Sequence, residues 1–262
     1  MHTMWKGSIS FGLVNIPVKM YTATEDKDIR FRQLHRQDYS PIKYMKKCIS
    51  CDKEVSNEDI VKGYEYQTGE FVVLEDEDLQ KIDPELSKSI EIIEFVNLEE
   101  IDPIFFDKTY YLSPSETGGK AYSLLRTAMG EMDKIAIAKI MIRAKESLAV
   151  VRIYNECIVL ETIYYPDEIR NQKMIPGISD QDTNVNANEL KMAKQIIENL
   201  STKFEPEKYT NEYREKLLNI IQAKIEGKDI AIAPDVIKSN VVDLMTALQA
   251  SLDETKKTAV VK

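Results

Sequence analysis

Histidine is nearly absent from this sequence: His2 and His35 are the only two. A catalytic triad or a general-base histidine would have to use His35, and nothing in the sequence points a nucleophile at it. Cysteine is scarce and odd in number, three in 262 residues. That excludes a disulfide framework and fits a reducing cytoplasm. No apolar run of about 18 residues occurs, so no membrane span is expected. The opening "MHTMWKGS" has no charged stretch followed by an apolar one, so secretion is not expected either. Neither GxxxxGK[ST] nor GxGxxG is present, which leaves nucleotide hydrolysis without support.

What is present is an ample apolar fraction, 43 %, and a charged fraction of 30 % with a net charge of −9. The average charge argues against nucleic acid, but the charge is segregated. Residues 30–53 carry seven basic side chains (Arg30, Arg32, Arg36, Lys43, Lys46, Lys47 and Lys53) against Asp38 and Asp52, a net of +5. Residues 120–152 are the second basic segment, at +4, with Arg126, Lys139, Arg143, Lys145 and Arg152 among their cations. Residues 54–119 stand at −14. An acidic protein can still present one positive surface. Solvated faces of ordinary strands are the plain alternative, since mixed-sign surfaces are common.

The first 170 residues read as β-rich. Two strands are expected over 4–24, with Pro17 at a bend or an edge. Further strands are expected at Ile29–Leu34, Ile60–Tyr66, Phe71–Leu74, Ile90–Asn97 and Lys108–Leu112, with "QTGE" closing a hairpin. "ETGGKAYSLLRTAMGEM" has the apolar spacing of a helix. A dense β-block follows, in which Ile135, Ile137, Lys139, Met141 and Arg143 alternate against Ala136, Ala138, Ile140 and Ile142. Strands at this short spacing suggest a barrel or a sandwich rather than a βαβ fold. Two helices are expected at 189–203 and 211–226, the second stopped by Gly227, and a last one at 241–252. The plan is a mixed α+β chain: a core over 1–170, a helical arm over 171–228, and a linker, terminal helix and tail over 229–262.

Two clusters invite metal chemistry. Cys48 and Cys51 form a CxxC, half of a structural zinc site; the remaining ligands would be His35 or a second subunit's CxxC, and the alternative is a reduced turn. The acids around Glu75–Asp78 suggest either a solvated helix start or the centre of a metal-dependent nuclease or lyase.

"WKGSISFGLVNIPVKMYTATEDKDIRFRQLH" closely resembles the N-terminus of bacterial Ku proteins. "EDIVKGYEY", "FDKTYYLSP", "YYPDEIR" and "EYREKLLNIIQAKIEG" resemble further blocks of that family, in its order, so the likeness spans about residues 4–252. The resemblance implies a β-barrel core with an extended bridge at about 30–70 and a ring-shaped homodimer threaded by a double-stranded DNA end. It implies a non-enzymatic role in non-homologous end joining, in the cytoplasm at the nucleoid, with recruitment of a multidomain ATP-dependent DNA ligase. No cofactor is required by it, and zinc at Cys48 and Cys51 stays open. The twelve cations named above are the expected phosphate contacts. The terminal stripe Val241, Leu244, Met245, Leu248 and Leu252 is the expected ligase contact, as a helix laid in a groove. The Lys-rich tail of some members is reduced here to Lys256, Lys257 and Lys262, so no tail-dependent bridging of DNA is expected.

Overall fold

Isoleucine and valine at every second position set the first hairpin. Strand β1 (Trp5–Phe11) turns at Gly12, φ +58°, into β2 (Val14–Thr22), whose Ile16, Val18 and Met20 all point inward. The computed structural model describes residues 1–75, 77–78, 88–143, 145–177, 186–227, 245, 248–249 and 251–252. These fall into two compact units, Met1–Met174 and Ile175–Lys262.

The first unit is built on a closed barrel. Its other strands are β5 (Ser89–Val96), β6 (Phe106–Pro114), β7 (Ile135–Ile142), β8 (Lys145–Tyr154) and β9 (Cys157–Ile163), the labels β3 and β4 belonging to a separate hairpin, Lys62–Gln67 with Glu70–Leu74. The order around the barrel is β1-β2-β6-β9-β8-β7-β5, seven strands, and the seam is the parallel pair β1–β5, where Ile9 lies opposite Ile90. Closure leaves no open edge to pair with another chain. Pro17 lies just beyond the β2–β6 pairing, which begins at Val18, so its missing N–H costs that ladder nothing.

Ile9, Val18, Met20, Ile90, Leu112, Ile140, Val151, Ile158 and Leu160 fill the interior at 2 % exposure or less, and Ala136 and Ala138 leave room for them. Each such branched side chain contributes about 1.5–3 kcal/mol by leaving water. Helix α1 (Gly119–Met132) seats Tyr122, Leu125 and Met129 on this core. The Tyr122 hydroxyl donates to the Leu112 carbonyl (2.7 Å) and accepts from the Ile158 amide (2.7 Å), which ties α1 to β6 and β9. A Cβ at Gly118 would lie 2.6 Å from the Pro17 carbonyl oxygen, so only glycine lets α1 start this close to β2.

A second apolar cluster lies outside the barrel wall: Ile135, Val150 and Ile163, with Val96, Ile101, Phe105, Phe106 and Leu148. Residues 98–105, two single-turn helices, contribute to it. This cover explains why β9 is buried along almost its whole length rather than at alternate residues.

Residues 24–75 form an arm with no buried residue. The strand expected at Ile29–Leu34 does not form. Phe31 is 69 % exposed, and no neighbouring strand or layer takes up its apolar side chains. In its place are two short hairpin turns in series. The first pairs Leu34 with Pro41 and turns at Tyr39, φ +57°. There the Ser40 amide and hydroxyl both donate to Asp38, as does His35, and these bonds hold the Asp38 carboxyl below the usual range. The second turn pairs Lys47 with Glu54. The β3–β4 hairpin ends the arm, turned by Gly69 at φ +82°.

In the second unit, α2 (Ala187–Leu200) is capped by Asn186 and α3 (Glu212–Ile225) by Asn211, each amide oxygen accepting a backbone N–H at 2.9 Å. Neither helix has a buried residue, and Phe204 stacks on Tyr209 between them.

Candidate nucleic-acid interface

The twelve basic residues expected from the sequence divide into two groups once their partners are counted. Arg30, Arg32, Arg36, Lys43, Lys46, Lys47 and Lys53 all lie on the arm and are exposed. The Leu34–Pro41 pairing, with the Ile42 amide donating to the Gln33 carbonyl (3.2 Å), sets a register. Extended by two residues, that register puts Arg32 opposite Lys43. Two like charges side by side on a pair of strands repel one another. Among the described residues, no carboxylate forms an ion pair with Arg32, Arg36, Lys43 or Lys53, so nothing within the arm offsets that repulsion. The other three arm cations hold exchangeable partners: Arg30 with Asp26 at 3.4 Å, Lys47 with Asp52 at 2.6 Å, and Lys46 donating to Asn57 at 2.8 Å. Exposed pairs of this kind contribute about 0–1 kcal/mol, little enough for a phosphate to displace.

The barrel cations are engaged differently. Arg152 donates from Nε and from a terminal nitrogen to both oxygens of Glu161, each at 2.7 Å, and stacks over Tyr154. The side chains of this pair are 24 % and 11 % exposed. Hydrogen bonding to Glu161 raises the guanidinium pKa further, and Thr109 donates to the same carboxylate. The bidentate pair holds Arg152 against the barrel wall, so a phosphate meets its guanidinium only in competition with Glu161. Arg126 donates to the Glu156 carbonyl, Lys139 pairs with Glu146 at 3.4 Å, and Lys145 pairs with Glu168 at 3.5 Å. Arg143 does not continue the strand alternation; it sits in the β7–β8 turn at φ +52°. Among the described residues, seven of the twelve cations form no ion pair with a carboxylate, and five of these, Arg32, Arg36, Lys43, Lys46 and Lys53, lie on the arm, the other two being Arg126 and Arg143. Sequence reasoning missed Glu161. The signal was there: a lone acid inside the apolar run of β9, where an ionised group is stable only with a partner.

Cys48 and Cys51 occupy the tip of the second arm turn. The Cys48 amide donates to the Lys53 carbonyl (2.9 Å), the Asp52 amide to the Cys48 carbonyl (3.0 Å), and the Val55 amide to the Lys46 carbonyl (2.9 Å). Asp52 takes φ +58°. Hydrogen bonding from the Cys51 backbone and side chain, and from the Ser50 backbone, lowers the Cys48 pKa from the ordinary thiol value. Cys157, by contrast, is half-buried on β9, and burial raises its pKa. Its thiol donates to the Tyr154 carbonyl at 3.3 Å.

Of the terminal stripe, Val241 and Leu244 lie outside the described residues, as does Asp76 of the acidic cluster. Met245 is exposed and Leu248 half-buried, both helical. Leu252 is buried at 5 % exposure, which takes it out of any free docking stripe. No helix among the described residues is long and apolar enough to cross a membrane.

A family model, "Ku70/Ku80 beta-barrel domain", matches residues 10–192. Among curated proteins, "Non-homologous end joining protein Ku" of Bacillus subtilis (strain 168) is 53 % identical over 260 residues, covering 98 % of this chain and 83 % of that protein. The protein of the same name from Heliobacterium modesticaldum is 47 % identical over 257 residues, covering 98 % of this chain and 93 % of its own. A third, from Symbiobacterium thermophilum, is 49 % identical over 254 residues but extends further, the match covering 63 % of its length.

Proposed function

This chain belongs to the Ku β-barrel family of bacterial end-joining proteins, and on that premise we propose that two copies close into a ring around a double-stranded DNA end. The ring acts as a scaffold in break repair, in the cytoplasm at the nucleoid, and performs no chemistry on the DNA. One observation carries this reading above the others. The arm of residues 24–75 has no buried residue and holds Arg32, Arg36, Lys43 and Lys53 without carboxylate ion-pair partners among the described residues.

Duplex DNA carries one negative charge per about 1.7 Å of axis, and cations that meet phosphates give affinity without reading bases. An arm with no core of its own has little to hold it in place except a partner. Its exposed Ile42, Tyr44, Met45 and Ile49 give that partner an apolar surface. A second copy supplies the partner, and the duplex supplies the counter-charge. Lys139 and Lys145 are secondary contacts, because their weak surface pairs exchange readily for phosphate.

The test is a competition between linear duplex and covalently closed circles of the same sequence. Linear DNA is expected to win by at least about tenfold, or 1.4 kcal/mol. Electrostatic binding alone would treat the two alike, and equal competition would overturn the ring.

We also propose that the terminal helix recruits an ATP-dependent DNA ligase through Met245 and Leu248, Leu252 being buried already. Met245→Glu with Leu248→Glu is expected to abolish stimulation of the ligase. DNA-end affinity should stay within about twofold, as for most surface changes. Full stimulation by this variant would place the contact elsewhere.

A further inference from the structure

Like charges directly opposite one another on paired strands repel, and the repulsion destabilises the sheet. The first hairpin of the barrel carries such a pair. Lys6 of β1 stands opposite Lys19 of β2, and both point out of the barrel, since Ile9, Val18 and Met20 point in. Among the described residues, neither lysine forms an ion pair with a carboxylate. Lys19 is half-buried. A long side chain in that position lays its stem on the wall and keeps its ammonium at the surface.

Hydroxyl groups surround the two charges. Ser113 of β6 lies opposite Lys19 on its other side, so Lys6, Lys19 and Ser113 form one row across three strands. Tyr21 is the next outward residue of β2 after Lys19. Hydrogen bonding from the Thr3 and Ser113 side chains lowers the Tyr21 pKa from the ordinary phenol value, and the charges of Lys19 and Lys6 lower it further. A phenol oxygen that accepts two hydrogen bonds keeps its own hydrogen to donate. Two ammoniums and an unspent O–H, with no carboxylate paired to them, are what an oxyanion needs. Chain continuity says which oxyanion. β2 ends at Thr22, the Ala23 amide donates to the Thr109 carbonyl at 3.0 Å, and the arm starts at residue 24. The row therefore stands at the root of the basic arm, on a packed wall. Lys6 and Lys19 lie outside both basic segments of the sequence, and neither is among the twelve cations drawn from them.

We propose that Lys6, Lys19 and Tyr21 form a phosphate site on the outer barrel wall, which takes one backbone phosphate of the duplex gripped by the arm. The proposal rests on the DNA-end reading above and gives that grip a fixed base. Lysine suits the task as a compact point charge, and two of them on one phosphate leave the bases unread. An anion seated between Lys6 and Lys19 also relieves their mutual repulsion, so binding recovers what the free hairpin gives up.

The test compares full-length variants with the parent on a blunt linear duplex. Lys6→Gln with Lys19→Gln removes both charges. Its slope of log K against log salt is expected to be smaller by about 1.8, one phosphate for each of two subunits, and its affinity about 60-fold lower at 0.1 M salt. Lys6→Arg with Lys19→Arg should keep the parent's slope, because a guanidinium also meets phosphate. Tyr21→Phe should lose about tenfold in affinity with the slope unchanged, because a neutral donor releases no counterion. Lys108→Gln with Lys120→Gln removes the same charge from exposed positions of the same unit and should change neither quantity. The Lys6–Lys19 glutamine variant should melt at the parent's temperature or up to about 3 °C above it, which separates a lost contact from a lost fold. A duplex stripped of its 5′-phosphates should show the same drop in slope; a drop confined to phosphorylated ends would move the site from the backbone to the terminus and overturn the assignment. A parent-like slope in the glutamine variant, or an equal drop in the Lys108–Lys120 control, would overturn the site itself. The end-binding reading fails elsewhere, in a parent that binds closed circles as well as linear DNA, and the slopes on either DNA would still report on the wall.

Discussion

Replacing Arg32 and Lys43 with glutamate lowers affinity for a linear duplex about 4,000-fold at 0.1 M salt. The size follows from counterion release. Each phosphate contact on duplex DNA contributes about 0.9 to the slope of log K against log salt, hence about 0.9 log unit of affinity at 0.1 M. The two residues occur twice in a dimer, so four contacts are lost and the slope falls by about 3.6. These two are the informative choice because the Leu34–Pro41 register, carried two residues further, sets them opposite one another, and neither has a carboxylate ion pair among the described residues. Glutamates there leave no buried group unpartnered, so the barrel should melt as the parent does. Binding isotherms at four salt concentrations give both numbers. An unchanged slope would mean that the phosphates meet some other surface.

The barrel was legible in the sequence because a packed sheet writes itself as alternation. Ala136, Ala138 and Ile140 are buried where the period of two puts them, and the turns at Gly12 and Gly69 fall where glycine marks them. The arm was legible only as charge. Ile29–Leu34 has the composition of a strand, yet a strand needs a neighbour, and nothing in a local window says that none will be there. The site was half legible for a related reason. Alternation places Arg152 on a face of β8 but is silent on what lies across from it. Only the β8–β9 register, with Val150 opposite Glu161 and Arg152 opposite Val159, brings the guanidinium diagonally onto that carboxylate. Pairing between strands decides which cations are free, and pairing is a property of the fold. The CxxC stood out by its spacing, whereas the left-handed Asp52 that shapes the turn around it carried no glycine to announce it.

Glu161→Gln should destabilise the barrel unit by about 3 kcal/mol while leaving the salt dependence of DNA binding as it was. The Arg152 guanidinium would keep its place in the wall, three-quarters shielded, with its counter-charge gone. Removing one partner of a buried pair costs about 3–5 kcal/mol, and the lower figure applies here because Arg152 retains some contact with water. For a unit of this size the loss is about 6–12 °C in melting temperature, at about 2–4 °C per kcal/mol. The double change Glu161→Leu with Arg152→Leu should recover most of that loss, since an apolar pair needs neither charge nor counter-charge and Val159 and Val150 already line the same face. Thermal melts of the three proteins settle the stability half. Salt titrations on linear DNA settle the other: if Arg152 met phosphate, the double variant would lose about 1.8 from the slope, two contacts per dimer. A slope equal to the parent's, in a barrel that melts near the parent's temperature, assigns Arg152 to the wall.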